Sequence, residues 1–239
     1  MSRNVVALIP IRSGSKRLKH KNIKILGNKY LFEWSLDIAK KINNFSKIIV
    51  TSDSKTILEL IKTEKIDKNL RPKKLSTNKA NLVDVSLYIY EIYKRKNFLI
   101  DDVVLLQPTS PFRSKKIIIE GLKKYYKTKA KNSVVSISKL NKHPRTTLIK
   151  KKNYLKPYIK NHALNIQSQD LKEIYVPNGS LYISSVSNLI KNKSFFSKKT
   201  YFIDSFFDYE DLDIDSEYDL KLAKIIYDNQ KKEIKEWQK

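Results

Sequence analysis

The chain has 239 residues and is 41% hydrophobic, enough for one large α/β domain with a filled core. It has no cysteine, which excludes disulfides, thiolate metal sites and cysteine nucleophiles and fits a reducing compartment. The formal net charge of +25 invites a nucleic-acid reading. Yet the lysines form no single stripe or block and no nucleic-acid module is recognisable, so solvated lysine-rich faces explain the charge as well; either way the field draws in anionic ligands. No apolar run approaches the ~20 residues that cross a bilayer. The N-terminus reads as neither signal peptide nor anchor. A cytoplasmic protein without a membrane or nucleic-acid partner is expected.

The first element is the apolar run 5–9, VVALI, a buried strand that Pro10 is expected to end. A turn of small residues follows, Ser13, Gly14 and Ser15, among Arg12, Lys16, Arg17, Lys19 and Lys21. Small residues leave backbone N–H groups open to an anion, and cations neutralise it. Neither G-x-x-x-x-G-K-[ST] nor G-x-G-x-x-G is present, so the P-loop and dinucleotide readings fail. A polyphosphate held mainly by side-chain cations remains.

Residues 31–42 have helical periodicity and 47–50 form a short apolar strand. The loop 51–54 can cap a helix over 55–61. Asp53, at a strand end, is either a ligand contact or part of that cap. Leu70, Arg71 and Pro72 are extended, with Arg71 a second anion contact or an ordinary surface arginine. An amphipathic helix is expected over 84–93. The run 103–106, VVLL, is expected as the central parallel strand, with 107–113 in the crevice beside the first turn. A helix over 114–126 and a strand over 133–138 complete the alternation. The fold expected is a three-layer, mostly parallel α/β sheet. Residues 139–177 are polar, basic and irregular, and read as an inserted arm or lid. The sheet resumes at 178–183, so the α/β domain comprises 1–138 and 178–239.

Residues 208–219 read DYEDLDIDSEYD. On an extended backbone Asp211, Asp213 and Asp215 share one face, with Leu212 and Ile214 on the other. Convergent carboxylates repel unless a cation lies between them, and oxygen donors suit Mg²⁺ bound with phosphates. Ser216 and Asp219 also match a capping box for a helix over 217–227. Capping explains Ser216, Glu217 and Asp219 but not Asp213.

Four stretches, in this order, carry a resemblance: LIPIRSGSKRLKHKN, VLLQPTSPFR, NGSLYI and LDIDSEYDL. Together they resemble the motifs of the CMP-N-acetylneuraminic acid synthetases, the cytidylyltransferases of nine-carbon 2-keto sugar acids, over residues 4–227. The combination sets the chain apart from the related Kdo enzymes. The resemblance implies a Rossmann-like nucleotidyltransferase fold with a dimerisation arm, CTP and a nonulosonic acid as substrates, Mg²⁺ as cofactor and a homodimer. By match to the motifs, Arg12, Ser15, Lys21, Asn22 and Arg71 contact the nucleotide, with Lys21 the key phosphate lysine. Gln107, Asn178, Tyr182, Phe195 and Phe196 fall on the sugar side. Asp213 and Asp215 hold the metal, and Lys21, Arg12 and Asp215 carry the chemistry. Arg145, after His143 and Pro144, is a candidate for the sugar carboxylate, supplied within the chain or across the dimer.

The chain departs from the family pattern at Ile11 and Ser13, where Ala and Gly are usual, and at His20, where Pro is frequent. Val176 replaces a basic residue that meets the sugar carboxylate, and Leu82 replaces a serine near the cytosine. These departures leave the sugar open among N-acetylneuraminate, legionaminate and pseudaminate. Rival readings are a uridylyl- or guanylyltransferase acting on a sugar 1-phosphate, and a nucleic-acid-binding protein.

Overall fold

Apolar side chains on alternate residues of β1 (Val5–Ile11) point to opposite faces, which forces helices onto both sides of it. The computed structural model describes residues 3–77 and 80–238. In chain order β1 is followed by β2 (Ile25–Leu26), β3 (Lys29–Tyr30), α1 (Leu31–Lys40), β4 (Lys47–Ser52), α2 (Lys55–Glu59) and β5 (Asp67–Leu70). Then come α3 (Leu82–Arg95), β6 (Asp102–Leu105), α4 (Lys115–Lys127), β7 (Val134–Lys139), β8 (Leu148–Lys150) and β9 (Leu155–Pro157). The chain continues through β10 (Tyr175–Ser185), α5 (Val186–Asn192), β11 (Tyr201–Asp204) and α6 (Glu217–Trp237).

The main sheet has seven strands in the order β11-β7-β10-β6-β1-β4-β5. All neighbours are parallel except β10, which runs antiparallel to β6 and to β7. The expected parallel centre is therefore half right: β6 is parallel to β1 and antiparallel to β10. Val5, Ala7, Ile9 and Ile11 of β1 pack with α1, α2 and α4, while Val6 and Leu8 pack with α3 and α5. The three-layer architecture follows from that alternation. Among the described residues no helix is long and apolar enough to cross a membrane.

Three boundaries differ from expectation. Pro10 lies inside β1 rather than ending it; β6 pairs with β1 only as far as Leu8, so Pro10 has a ladder partner on the β4 side alone. The sheet resumes at Tyr175, not at residue 178, because Tyr175, Val176 and Pro177 still pair with the end of β7. The C-terminal helix runs to Trp237 through a non-helical Gln230, well past the expected end near residue 227. The arm itself carries one hairpin, β8 with β9.

A third apolar cluster fixes the site. It joins Leu18 of the first turn, Trp34 of α1, Phe112, Ile214, and Leu220, Ala223 and Tyr227 of α6. Leu18 and Ile214 are both fully buried there. Burying such a side chain is worth about 1.5–3 kcal/mol, so this cluster draws the N-terminal turn and the acidic segment together.

Candidate active site

The carboxyl ends of β1, β5 and β6 open into a cleft of about 310 Å³, where an α/β sheet reverses strand order and binds ligands. Arg12, Arg17, Lys21, Asn22, Arg71, Gln107, Asp213 and Asp215 all line it. The cationic turn and the acids meet directly: Lys21 Nζ donates to Asp215 Oδ1 at 2.7 Å, and Arg17 Nη2 to Asp215 Oδ2 at 2.6 Å. Lys21 and Asn22 are buried although polar, because they sit in a 3-10 turn that follows buried Leu18. Asn22 Nδ2 donates to the Arg12 carbonyl at 2.9 Å, while its buried Oδ1 has no partner among the described residues and can accept from a ligand. His20 opens this turn at φ 54°, a value the proline ring forbids, so the turn is built differently from one carrying proline there.

Arg71 is a buried contact rather than a surface arginine. Its Nε donates to Ser76 Oγ at 2.8 Å and its Nη1 to the Thr51 carbonyl. Burial lowers its pKa to about 10, Asp53 opposing and Arg12 reinforcing, and the side chain stays charged near neutrality. Ser54 caps α2, accepting from Ile57 N at 3.3 Å, so the cap is not the work of Asp53. Asp53 instead accepts from Ser13 N at 2.8 Å and Ser13 Oγ at 2.7 Å. Ser15, half-buried in the same turn, does not line the cleft.

Of the three alternating aspartates, two face the cleft. Ile214 N donates to the Thr109 carbonyl at 2.8 Å, its side chain turns into the core, and Asp213 and Asp215 flank the cleft. Asp211 breaks the pattern, because the chain at Tyr209 takes φ 61° and turns there; its carboxylate accepts from the Ser138 hydroxyl instead. Burial raises the pKa of Asp213, with neighbouring Asp215 adding to it and Thr109 and Lys21 opposing. For Asp215 burial pushes up, but Lys21 and Arg17 overcome it and the pKa falls below the usual aspartate range. Ser216 and Asp219 form the expected capping box. Among the described residues no group of three or more His, Asp or Glu is arranged to hold a metal. Asp213 and Asp215 can supply two carboxylates to a hard cation, and among the described residues Asp213, open to the cleft, makes no salt bridge.

On the other rim, Gln107 Nε2 donates to the Gly179 carbonyl at 3.3 Å. The register of β10 breaks between Pro177 and Tyr182, and Gly179 sits in that break at φ 81°. A Cβ there would be strained and would lie 3.2 Å from Gln107 Nε2 and 3.8 Å from Asp213 Oδ2. Asn178 is locked beside it: its Nδ2 donates to Ser138 Oγ at 2.9 Å, and its Oδ1 accepts from Ser136 Oγ and from Ser180 N. Tyr182, Phe195 and Phe196 form an aromatic cluster, but none lines the cleft. Phe195 is buried in the core with α3 and α5, against Tyr182. Phe196 is exposed. Arg145 is not brought to the cleft within this chain; it donates to the Asn161 carbonyl at 2.8 Å, inside the arm.

Two features escape sequence reading. Leu75, Ser76, Thr77, Ala80, Leu82 and Val85 make one wall of the cleft, and only Leu82 was singled out. Arg113 is fully buried, donating to the Ser180 carbonyl, to Ser35 Oγ at 2.9 Å and to the Gln107 carbonyl at 2.8 Å. It ties Gln107 to the break in β10.

A family model described as cytidylyltransferase matches residues 6–234. An N-acylneuraminate cytidylyltransferase of Escherichia coli is 32% identical over 93% of this chain and 52% of its own length. A CMP-N,N'-diacetyllegionaminic acid synthase of Legionella pneumophila is 32% identical over 82% of this chain and 84% of its own. The chain spans about half the length of the N-acylneuraminate enzymes it matches. Among solved structures, a CMP:2-keto-3-deoxy-manno-octonic acid synthetase complexed with CTP has a TM-score of 0.64 at 12% identity, covering 95% of this chain and 99% of that one, a likeness of fold alone. The motif-bearing residues of the cleft and a family match across nearly the whole chain agree: this chain belongs to the cytidylyltransferase family.

Proposed function

We propose that the chain transfers CMP from CTP to the anomeric hydroxyl of a nine-carbon 2-keto sugar acid, releasing pyrophosphate, as a Mg²⁺-dependent homodimer in the cytoplasm. The observation that carries this reading is the contact of Lys21 with Asp215 at 2.7 Å. It joins a cationic turn to a pair of carboxylates under one cleft, the arrangement a triphosphate and its metal require.

In this reading Arg12, Lys21 and Arg71 neutralise the triphosphate, and the wall of Leu75, Leu82 and Val85 packs the base. The C2 hydroxyl oxygen of the sugar attacks the α-phosphorus and a P–O bond forms; the bond to the β-phosphate oxygen breaks, pyrophosphate leaves with that oxygen, and the hydroxyl proton passes to water. Such a step needs positioning and charge neutralisation more than covalent help from the protein. Asp213 and Asp215 are the residues that would hold Mg²⁺, Asp215 releasing exposed Arg17 to do so. When bound there, Mg²⁺ supplies charge to the α-phosphate and lowers the pKa of the attacking hydroxyl. Gln107 and the Asn178–Gly179 break of β10 face the sugar side. Arg145 reaches a sugar carboxylate only as part of a dimer, since within one chain it is held in the arm.

N-acetylneuraminate is the leading sugar. Legionaminate and pseudaminate are the alternatives, since enzymes named for each of these acids also match this chain. The test is pyrophosphate release with CTP across neuraminic, legionaminic and pseudaminic acids. One acid is expected to support turnover with CTP and not with UTP or GTP. Failure of every acid in the panel, or a preference for UTP or GTP, overturns the reading.

A further inference from the structure

Asp53 stands behind the cleft rather than in it. It lies just past the end of β4, beside the turn that leaves β1, and its two carboxylate oxygens take two bonds from one residue of that turn. Ser13 N donates to Oδ1 at 2.8 Å and Ser13 Oγ donates to Oδ2 at 2.7 Å. A glycine at position 13 could supply only the first bond. Neither Ser13 nor Asp53 lines the cleft, whereas Arg12, next to Ser13, does. The cap of α2 is supplied by Ser54, so the local helix does not account for Asp53.

The carboxylate has a second neighbour. Arg71 is buried, and among the described residues its hydrogen bonds go to neutral oxygens, those of Ser76 and Thr51. The negative charge of Asp53 offsets the cost of holding Arg71 charged there, while Arg12 adds to that cost. Burial alone would push the Asp53 carboxyl up, but the two Ser13 bonds and Arg71 bring its pKa below the usual range, so the ionised form is the one this arrangement favours.

We propose that Asp53 is a positioning residue for phosphate binding: it latches the turn after β1 through both the backbone and the hydroxyl of Ser13, holding Arg12 in line with Arg71 before a ligand arrives. The proposal rests on the reading of the cleft as a phosphate site. A latch of this kind acts on the anion and not on the sugar, so it is read in binding and in KM for CTP with kcat little changed.

Three variants separate the latch from charge and from general stability. Asp53→Asn keeps both contacts, since the amide oxygen accepts from Ser13 N and the amide nitrogen donates to Ser13 Oγ. Asp53→Ala removes both contacts, and Ser13→Gly removes only the hydroxyl bond. Binding of CTP and of inorganic pyrophosphate is measured by calorimetry without sugar acid, beside KM and kcat for pyrophosphate release. Asp53→Ala is expected to weaken both ligands about tenfold or more, Ser13→Gly about threefold, and Asp53→Asn less than threefold, since asparagine keeps the contacts that alanine removes. Binding of Asp53→Ala equal to wild type overturns the proposal. So does an Asp53→Asn as weak as Asp53→Ala, because charge on Arg71 is then the whole effect. Should Asp53→Ala fail to fold, Ser13→Gly against Asp53→Asn still decides. A wild type that binds pyrophosphate but not CTP sinks the cytidylyl reading and leaves the latch to be read on pyrophosphate; a wild type that binds neither sinks both.

Discussion

The carboxyl edge of the sheet and the arm over 139–177 invert each other. At the sheet edge, Lys21, Asn22, Arg71 and Arg113 are polar or charged and buried. In the arm, Tyr154, Leu155 and Tyr158 are large and apolar and lie 60% or more exposed. Buried cations persist only where oxygens surround them, and a two-stranded hairpin has too little apolar contact to stand alone. The first region is complete within one chain except for an anion. The second leaves its apolar side chains open, and in the proposed dimer a second copy covers them.

The comparison breaks most sharply at Lys21. Lys21→Ala or Asp215→Ala is expected to lower pyrophosphate release about 10³-fold, about 4 kcal/mol in the barrier, because the charge facing the triphosphate or its metal is lost. Circular dichroism should be unchanged, since the apolar cluster around Leu18 and Ile214 still closes the turn onto the acids. A Lys21→Ala enzyme that turns over within tenfold of wild type would remove Lys21 from the chemistry.

Arg113 tests the other half of the sheet edge. Arg113→Met fills the volume but strands the Ser180 and Gln107 carbonyls in a dry interior. The expected loss is about 3 kcal/mol of stability, read from the urea midpoint, with the KM for the sugar acid rising in whatever protein remains folded. Burial lowers the pKa of Arg113 only to about 9, so it carries its charge at pH 7 and a neutral isostere is not equivalent. An unchanged midpoint would mean that the loop and the break in β10 hold themselves.

The arm should respond in the opposite way. Replacing Tyr154, Leu155 and Tyr158 together by Ser is expected to change the stability of one chain by about 0.5 kcal/mol or less, since exposed positions contribute little. Light scattering should move from two chains to one. A variant that remains dimeric would assign the dimer contact to another face.

Much of the sheet edge was legible from sequence because its signals are local. A strand running into small residues and cations, a D-I-D alternation and an S-x-x-D capping box each report one backbone conformation. What was illegible depends on distant partners. Arg113 was placed only as the end of the crevice segment 107–113, and its part emerges when Ser35, Gln107 and Ser180 are folded around it. Asp53 had two local readings, and its actual partner, Ser13, lies 40 positions away. Phe195 and Tyr182 came by resemblance alone, and the core claims Phe195. The helix α5 and strand β11 escaped notice because each is short, at 7 and 4 residues, and has little room to show a period. Asp211 shared the alternation of Asp213 and Asp215, yet a single left-handed residue upstream turned it to Ser138.

The smallest effect concerns the two aspartates that do face the cleft, and it has opposite signs for them. Asp215 has a folded pKa below its unfolded value, so its pairing with Lys21 and Arg17 adds stability that is complete above the unfolded pKa and lost as the pH falls through the folded one. Asp213 has a folded pKa above its unfolded value, because burial and the nearby Asp215 both disfavour its charge. Its ionisation therefore costs stability at neutral pH, and the cost fades on acidification as the carboxyl takes up its proton. Asp213→Asn should accordingly be slightly more stable than wild type at pH 7, with the gain shrinking as the pH is lowered through the raised pKa, and it should be inactive. Chemical denaturation at several pH values beside the pyrophosphate assay reads both. A variant that is less stable at neutral pH would show that the hydrogen bond with Thr109, which favours the charged form, outweighs burial, and that Asp213 is held for the fold rather than against it.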